Sequence, residues 1–448
     1  MKLIYLLITA LLASCSGFLD VKPDQKMAIP KTLDHADLLL NDYGTMNMGY
    51  PTYGEIAADD YFVRSADWQS IYDVDERNAH IWSNEDIVNS VQWQNSYRVV
   101  YRSNEVLTLL ADLDRRKEEQ RYKRVAGHAY FFRAFAFHQL ASVFAPAYST
   151  ATAAAEWGIP LRLSPALDYQ SVRASLAQSY DQIVNDYKRA VQVLPNDEPL
   201  LGRPSKAAAY AGLARVLLDM GNYHDAFLYA DSCLSLKSAL LDYNSISPAI
   251  ALPFPRFNAE VLFPAVSVIS DPLSQGFGRI ATALYSSYDE SDIRKEAFFR
   301  HNSSDPGTYA FKGSYDNTPG GLFVGLTTSE LYLIRAEAAV RTGSVSNALS
   351  DLNKLLENRF ARDTFTPVTE SNADKLLTII LEERRKELVF RGRRWSDLKR
   401  LNQDSRFAKT LVREVDGKQF QLEPNSPKYA IKIPLVVIEQ SGMEQNRR

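Results

Sequence analysis

The chain is 448 residues long, 46% hydrophobic and 23% charged, with a formal net charge of -3. That length and apolar share suit a globular protein with a sizeable core, built as one large domain or a few small ones. Charges of both signs in near balance create no global field to attract nucleic acid or an anionic lipid surface, so neither is an expected partner of the folded part.

In chain order, the first elements are processing signals. Met1-Lys2 gives a short positive start, Leu3 to Leu12 an apolar run too short to span a bilayer as a helix, and Leu12-Ala13-Ser14-Cys15 closes the segment. This ending is that of a bacterial lipobox, in which the Cys15 thiol is acylated and becomes the first residue of the mature chain. The alternatives are a secretory signal cut near Ala13 or a buried strand, but a cysteine at this spot favours acylation. Residues 1–14 are then a lipoprotein signal peptide, 15–30 a lipidated tether, and 31–448 one domain facing away from the cytoplasm. Two or more acyl chains anchor durably, at about 0.8 kcal/mol per buried CH2. With Cys15 lipidated, Cys233 has no mate, so stability must come from packing rather than a disulfide.

Asp42 to Val91 shows poor helical periodicity and sets Tyr43, Tyr50, Tyr53, Tyr61, Trp68, Tyr72 and Trp82 among polar residues. Helical patterns follow near 119–144 and again from Ser175 to Leu194. The segment AYAGLARVLLDMGNYHDAFLYADSCLSL then places Ala214, Gly221 and Ala226 at the spacing of Ala336, Gly343 and Ala348 in LYLIRAEAAVRTGSVSNALSDLNKLL. Each reads as two amphipathic helices joined at the glycine, resembling a tetratricopeptide repeat. Small residues at Ala214 and Ala336 let paired helices approach, and Gly221 and Gly343 allow the positive φ that ends a helix. Arg133-Ala134-Phe135-Ala136 echoes Arg335-Ala336-Glu337-Ala338. The repeats, near 119–144, 175–236 and 328–357, are scattered, and Lys237 to Thr327 between them mixes short apolar pieces with loop residues. The fold expected is mostly α: a tetratricopeptide-like helical scaffold with long irregular loops and a few short strands.

The run EERRKELVFRGRRWSDLKRL from Glu382 to Leu401 resembles the signature of the SusD/RagB family, surface nutrient-binding lipoproteins of Bacteroidetes. Other stretches fall in the same order: Phe18 to Pro23, Glu260 to Phe263, Tyr288 with Asp292-Ile293-Arg294, Leu331 to Ala338, and Ile433-Pro434 followed by Gln445-Asn446. The resemblance implies an outer-membrane lipoprotein that binds a nutrient, typically an oligosaccharide or polysaccharide. It also implies a TonB-dependent, SusC-type transporter as partner, and no cofactor. On its own chemistry the signature reads as a salt-bridged knot. Glu382 and Lys386 stand at i,i+4, Arg384 and Glu387 at i,i+3, Gly392 permits a bend, and Trp395 with Leu398 offers an apolar face. Interleaved acids argue against a phosphate site on its arginines.

Chemistry is hard to find. The six histidines form no HExxH pair, and GxGxxA at Gly276 to Ala281 opens no βαβ unit, so it reads as a loop. Asp59-Asp60, and Asp289-Glu290 with Asp292, lack calcium-loop spacing and are expected to face solvent. No catalytic residue and no metal ligand is assigned. The ligand candidates are aromatics in polar loops, Trp68, Tyr72, Trp82, Tyr285, Tyr288 and Tyr315, with Asp67, Gln69, Arg77, Ser287 and Asp316 as neighbours able to hydrogen-bond. Tyr288 belongs to a family-like stretch and is equally readable as a structural support for Asp292 and Arg294. Two rival functions stay open: a tetratricopeptide assembly scaffold with no small ligand, and a surface glycoside hydrolase.

Overall fold

In the computed structural model, residues 30–166, 168 and 170–448 are described; Cys15 and the stretch Phe18 to Pro23 lie outside them. Among the described residues eight long helices carry the scaffold: α1 (Val91–Ala111), α2 (Glu119–Phe144), α3 (Leu176–Val193), α4 (Lys206–Asp219), α5 (Tyr223–Leu236), α6 (Thr328–Arg341), α7 (Val345–Glu357) and α8 (Ala373–Glu387). From α1 to α7 each packs on the next, and α6 also takes α8. The chain is thus a mostly α, tetratricopeptide-like stack. Local chemistry starts the helices: Ser175 and Gln178 form a reciprocal capping box on α3, while Ser205, Asn222, Thr327 and Asn372 each cap a first turn. Apolar residues at three- and four-residue intervals give each its buried stripe, as with Leu176, Tyr180, Ile183, Tyr187 and Ala190 on α3.

Gly221 and Gly343 close α4 and α6 with φ of 74° and 89°. In both turns the following residue reaches back for a fifth-removed carbonyl, Asn222 N–H to Leu217 at 2.9 Å and Ser344 N–H to Ala339 at 2.8 Å. The two RA motifs also share a job. Arg133 grips Asp186 of α3 through two bonds of 2.8 and 2.7 Å, and Arg335 grips Asp351 of α7 through two of 2.7 and 2.6 Å. Each pins the first helix of a pair to the second.

The irregular stretches fold as short helices and, among the described residues, six two-stranded ladders. Phe299–His301 pairs with Tyr309–Phe311, Tyr61–Phe62 pairs with Arg279–Ile280, and Leu411–Val415 pairs with Lys418–Leu422 across an Asp416-Gly417 turn. Gly276 to Ala281 is a loop entering one of these strands, as the sequence suggests.

The signature segment is the knot of the molecule, but most of its charges pair away from their own helix. Arg384 binds Asp397 at 2.9 Å, Glu387 binds Arg359 at 2.8 Å and Arg294 at 3.3 Å, and Lys386 pairs with Glu383. The predicted Arg384–Glu387 pair is replaced by partners from other elements, because this face of α8 is buried and solvent cannot screen an unpaired charge there, while Lys386 pairs within the helix with Glu383 instead of Glu382. The solvent-facing reading of the acids fails at three positions for the same reason. Asp59 accepts from Arg394 at 2.6 Å, Asp60 from Arg385 at 2.7 Å, and Asp292 from Arg294 at 2.7 Å, whereas Asp289 and Glu290 are exposed. The chain bends at Gly392 (φ 68°), after which Trp395 and Leu398 enter the core. Cys233 is fully buried and burial pushes its thiol up to about 12, so it behaves as a small apolar side chain.

Candidate functional site

The six candidate aromatics separate by burial. Trp82 is buried under Arg413, whose guanidinium lies 4.7 Å from its ring, and its indole N–H donates to Ala57 at 3.0 Å. Tyr288 is buried against Phe299 and donates to the Lys386 carbonyl at 2.8 Å, 5.8 Å from the Arg294 guanidinium. Tyr315 is buried with Arg391 stacked 3.5 Å from its ring centre, and its hydroxyl bonds Glu260 at 2.8 Å and Tyr243 at 2.7 Å. These three rings are core, and that corrects their assignment as ligand platforms. Trp82 and Tyr315 are covered by arginines distant in sequence, which polar neighbours along the chain do not reveal, and Tyr288 by Phe299 eleven residues on. Asp316 is likewise buried, paired with Arg256 at 3.2 Å.

Trp68, Tyr72 and Tyr285 remain at the surface. Trp68 rides on the short helix Ser65–Ser70, half-buried, its indole N–H donating to the Arg77 carbonyl at 3.1 Å with the Arg77 guanidinium 5.8 Å from the ring. Tyr72 is 93% exposed, an unusually bare ring for a side chain of its size. Tyr285 stacks on Tyr309, ring centres 3.6 Å apart and planes 12° apart, and Lys295 sits 5.1 Å from the Tyr285 ring. Burial and the hydroxyl contact with Tyr309 raise the Tyr285 phenol above its ordinary value, so Tyr285 stays neutral. Two clefts of about 610 Å³ each are lined by Tyr285 and also share Glu290 and Lys295.

An ion network joins the Trp68 helix to the Tyr309 hairpin. Arg64 grips Asp67 at 2.7 Å and reaches Asp305 at 3.4 Å, while buried Arg279 binds Asp305 at 3.0 Å and approaches Asp67 at 3.6 Å. Asp305 lies between the strands Phe299–His301 and Tyr309–Phe311, so two arginines tie two ring-bearing loops into one rigid face. From the far side the Asp416-Gly417 turn holds the same helix: Gln69 donates to Asp416 at 3.0 Å and Asp416 N–H donates to Ser65 at 2.8 Å. Asp73 caps the helix Val74–His80 and takes Asn89 at 2.9 Å, fixing the segment next to Tyr72. Glu76, pushed up to about 7 mainly by burial, accepts from Asp271 N–H at 3.1 Å and so ties that helix to the loop before Gly276.

Sequence reasoning missed Tyr309, Arg64, Arg279, Asp305 and the exposed His301. One signal was available: Phe299, His301 and Tyr309, Phe311 alternate about a turn-rich stretch, and the hairpin register sets His301 opposite Tyr309. Among the described residues no group of three or more His, Cys, Asp or Glu side chains is placed to hold a metal ion, and no helix is long and apolar enough to cross a membrane. The chemical content of the face is therefore flat rings, carboxylates and guanidinium groups on a braced frame, suited to stacking and hydrogen bonding.

Comparison with known proteins gives a consistent result. Residues 17–218 match a family described as SusD-like, starch-binding and associating with the outer membrane, and residues 324–433 match the SusD family. A SusD-like protein P2 from Formosa agariphila is 24% identical over 372 residues, spanning 70% of this chain and 71% of its own. A SusD superfamily protein from Bacteroides thetaiotaomicron superposes with a TM-score of 0.74 at 22% identity, covering 93% of this chain and 100% of its own. The surface glycan-binding protein A of Bacteroides uniformis gives 0.70 at 19% identity, with 92% and 98% covered. A SusD-like carbohydrate-binding protein from Bacteroides vulgatus gives 0.68 at 19%, with 92% and 97% covered. The matches at both ends of the chain, the signature at its structural knot and the shared fold lead to one conclusion: the chain belongs to the SusD/RagB family.

Proposed function

We propose that this protein is a cell-surface lipoprotein that binds an oligosaccharide or polysaccharide and delivers it to a TonB-dependent, SusC-type transporter of the outer membrane. In this reading residues 1–14 are removed, Cys15 carries the lipid, residues 15–30 are the tether, and 31–448 form the single binding domain. Trp68, Tyr72 and Tyr285, with Tyr309, present apolar ring faces to sugar rings, and Arg77, Lys295 and Glu290 lie beside them to bond hydroxyls. The observation that carries the reading is the bracing. Exposed rings on loops would ordinarily lose entropy on binding, but here the arginine–aspartate network and the hairpin turn have ordered them beforehand. The glycan-binding and carbohydrate-binding relatives that share the fold support the same class of ligand. The protein binds and hands on; it turns nothing over.

A glycan array read together with product analysis tests this. Binding to at least one glycan without release of new reducing ends is expected. An assembly scaffold would leave every glycan unbound, and a hydrolase would release reducing ends. For the bound glycan, Tyr72→Ala, Trp68→Ala and Tyr285→Ala should each cost about 1–3 kcal/mol of affinity by calorimetry, as stacked rings do elsewhere. Tyr72→Ala is the most telling, since a ring 93% exposed contributes little to folding. Three variants at wild-type affinity would place the ligand elsewhere.

A further inference from the structure

We infer that a second saccharide site lies in the cleft between the C-terminal end of α2, Trp157 and the turn Asn425–Pro427, and that it takes a short neutral sugar through stacking on Trp157. The cleft shares no residue with the loop face around Trp68 and Tyr285 and stands independently of it. Its volume, about 390 Å³, is at the small end of the range of roughly 300–1,000 Å³ in which small ligands are held. Trp157 is 43% exposed at the rim, although it begins a strand whose next three residues are buried.

The walls are fixed by buried polar side chains. Arg173 donates to Gly158 at 2.8 Å and to Asn446 at 2.8 Å, and Asn446 donates in turn to Phe144 at 2.8 Å and Ile431 at 2.7 Å. Lys399, buried on the inner wall, spends two N–H groups on the carbonyls of Ser142 at 2.9 Å and Ala145 at 2.6 Å. These bonds join α2, the Trp157 strand, the helix Arg394–Leu401 and the segment 445–447 around one cavity, so the site exists before any ligand arrives.

The remaining lining chemistry selects the ligand. Gln403 donates its amide N–H to Tyr148 at 2.9 Å and Asn425 donates its own to Asn402 at 2.9 Å, and these bonds set which end of each amide is left over. Among the described residues neither amide oxygen accepts a hydrogen bond. The rim thus offers acceptors beside a ring, with the hydroxyl of Ser426 between them in sequence, and calls for a flat-faced ligand rich in hydroxyl donors. An anion would find donors at Arg447 and Ser426, but would also meet these two acceptor oxygens and the Glu156 carboxylate. The charged lining groups, Glu156, Lys399 and Arg447, are of both signs, and the Lys399 ammonium faces carbonyls.

The test follows the indole N–H signals of the full chain by NMR, whose five tryptophans give few resonances, with Trp157 identified by its loss in Trp157→Ala. Gluco-, manno- and galacto-configured disaccharides, and a short neutral peptide, are the probes. At least one disaccharide should shift the Trp157 signal; Trp157→Ala should weaken its binding about tenfold or more, and Gln403→Ala several-fold, with thermal unfolding unchanged in Gln403→Ala. Tyr72→Ala should leave this binding as in wild type, and its loss there would show that only the loop face binds. The inference is overturned if no disaccharide moves the Trp157 signal, if the peptide alone moves it, or if Gln403→Ala and Asn425→Ala bind like wild type.

Discussion

Glu55→Gln should make the protein markedly more stable at alkaline pH and leave it unchanged in mild acid. Glu55 lies in the short helix Tyr53–Ala57, 4% exposed, with one carboxyl oxygen lacking a hydrogen bond. Burial, and then the charge of Asp60, push its carboxyl from 4.5 up to about 8, against smaller opposing effects of the Gly392 N–H, Arg394 and Arg393. A carboxyl raised on folding binds its proton more tightly in the native state. Its contribution is whole below pH 4.5 and is lost as pH climbs through about 8. At about 1.4 kcal/mol per pH unit the window between those values amounts to about 5 kcal/mol, and relaxation around the charge reduces this to about 2–4 kcal/mol. Glutamine has the shape of the protonated acid and does not titrate. Urea unfolding of both proteins should therefore coincide near the bottom of the window and diverge by that amount at its top. Glu76, also raised, and His128, held down to about 4 by burial, titrate in both proteins and cancel in the difference. Parallel stability profiles, or a glutamine variant weaker at the alkaline end, would refute a neutral buried Glu55.

Three further outcomes are expected. Gly221→Val and Gly343→Val should each lose about 1 kcal/mol or more in thermal or urea unfolding from backbone strain alone, because a side chain at either position meets no atom within 4 Å. Arg133→Met should cost about 3–5 kcal/mol by stranding Asp186 without charge compensation, while Arg133→Met with Asp186→Leu recovers most of the loss in urea unfolding. Cys15→Ala should release the protein from membranes with its fold intact; retention in the membrane fraction after high-salt washing, with no transporter present, would count against lipidation.

The helical stack was legible in the chain because repeats advertise themselves locally. Ala214 with Gly221 and Ala336 with Gly343 have a shared spacing, and the positive φ of both glycines follows from helix-ending geometry alone. The proposed ligand face was only half legible. Tyr72 and Tyr285 could be picked as aromatics in polar company, but so could Tyr315 and Trp82, and what separates them is a covering group far away in sequence. Arg391 over Tyr315 and Arg413 over Trp82 are tertiary facts with no local trace. The same holds for the charges of the signature. Alternating signs suggest ion pairs between near neighbours in sequence, yet Glu387 and Arg384 are buried and answered by Arg359 and Asp397. Periodicity reports which face is apolar; it does not report which ions are interred together.

The ion pairs of the signature also set an order of events during synthesis. Asp59 and Asp60 leave the ribosome early, yet Arg385 and Arg394 are more than 300 residues downstream, and the Arg413 contacts to the 56–58 backbone come later still. Until they arrive, the N-terminal loops that carry Trp68 and Tyr72 have uncompensated acids where the native core will be. The face around Trp68 and Tyr72 therefore closes only when nearly the whole chain is present, and a truncated product exposes it half-built. Such sequence-distant contacts make folding slow. That delay keeps the early half open until the last third can lock it.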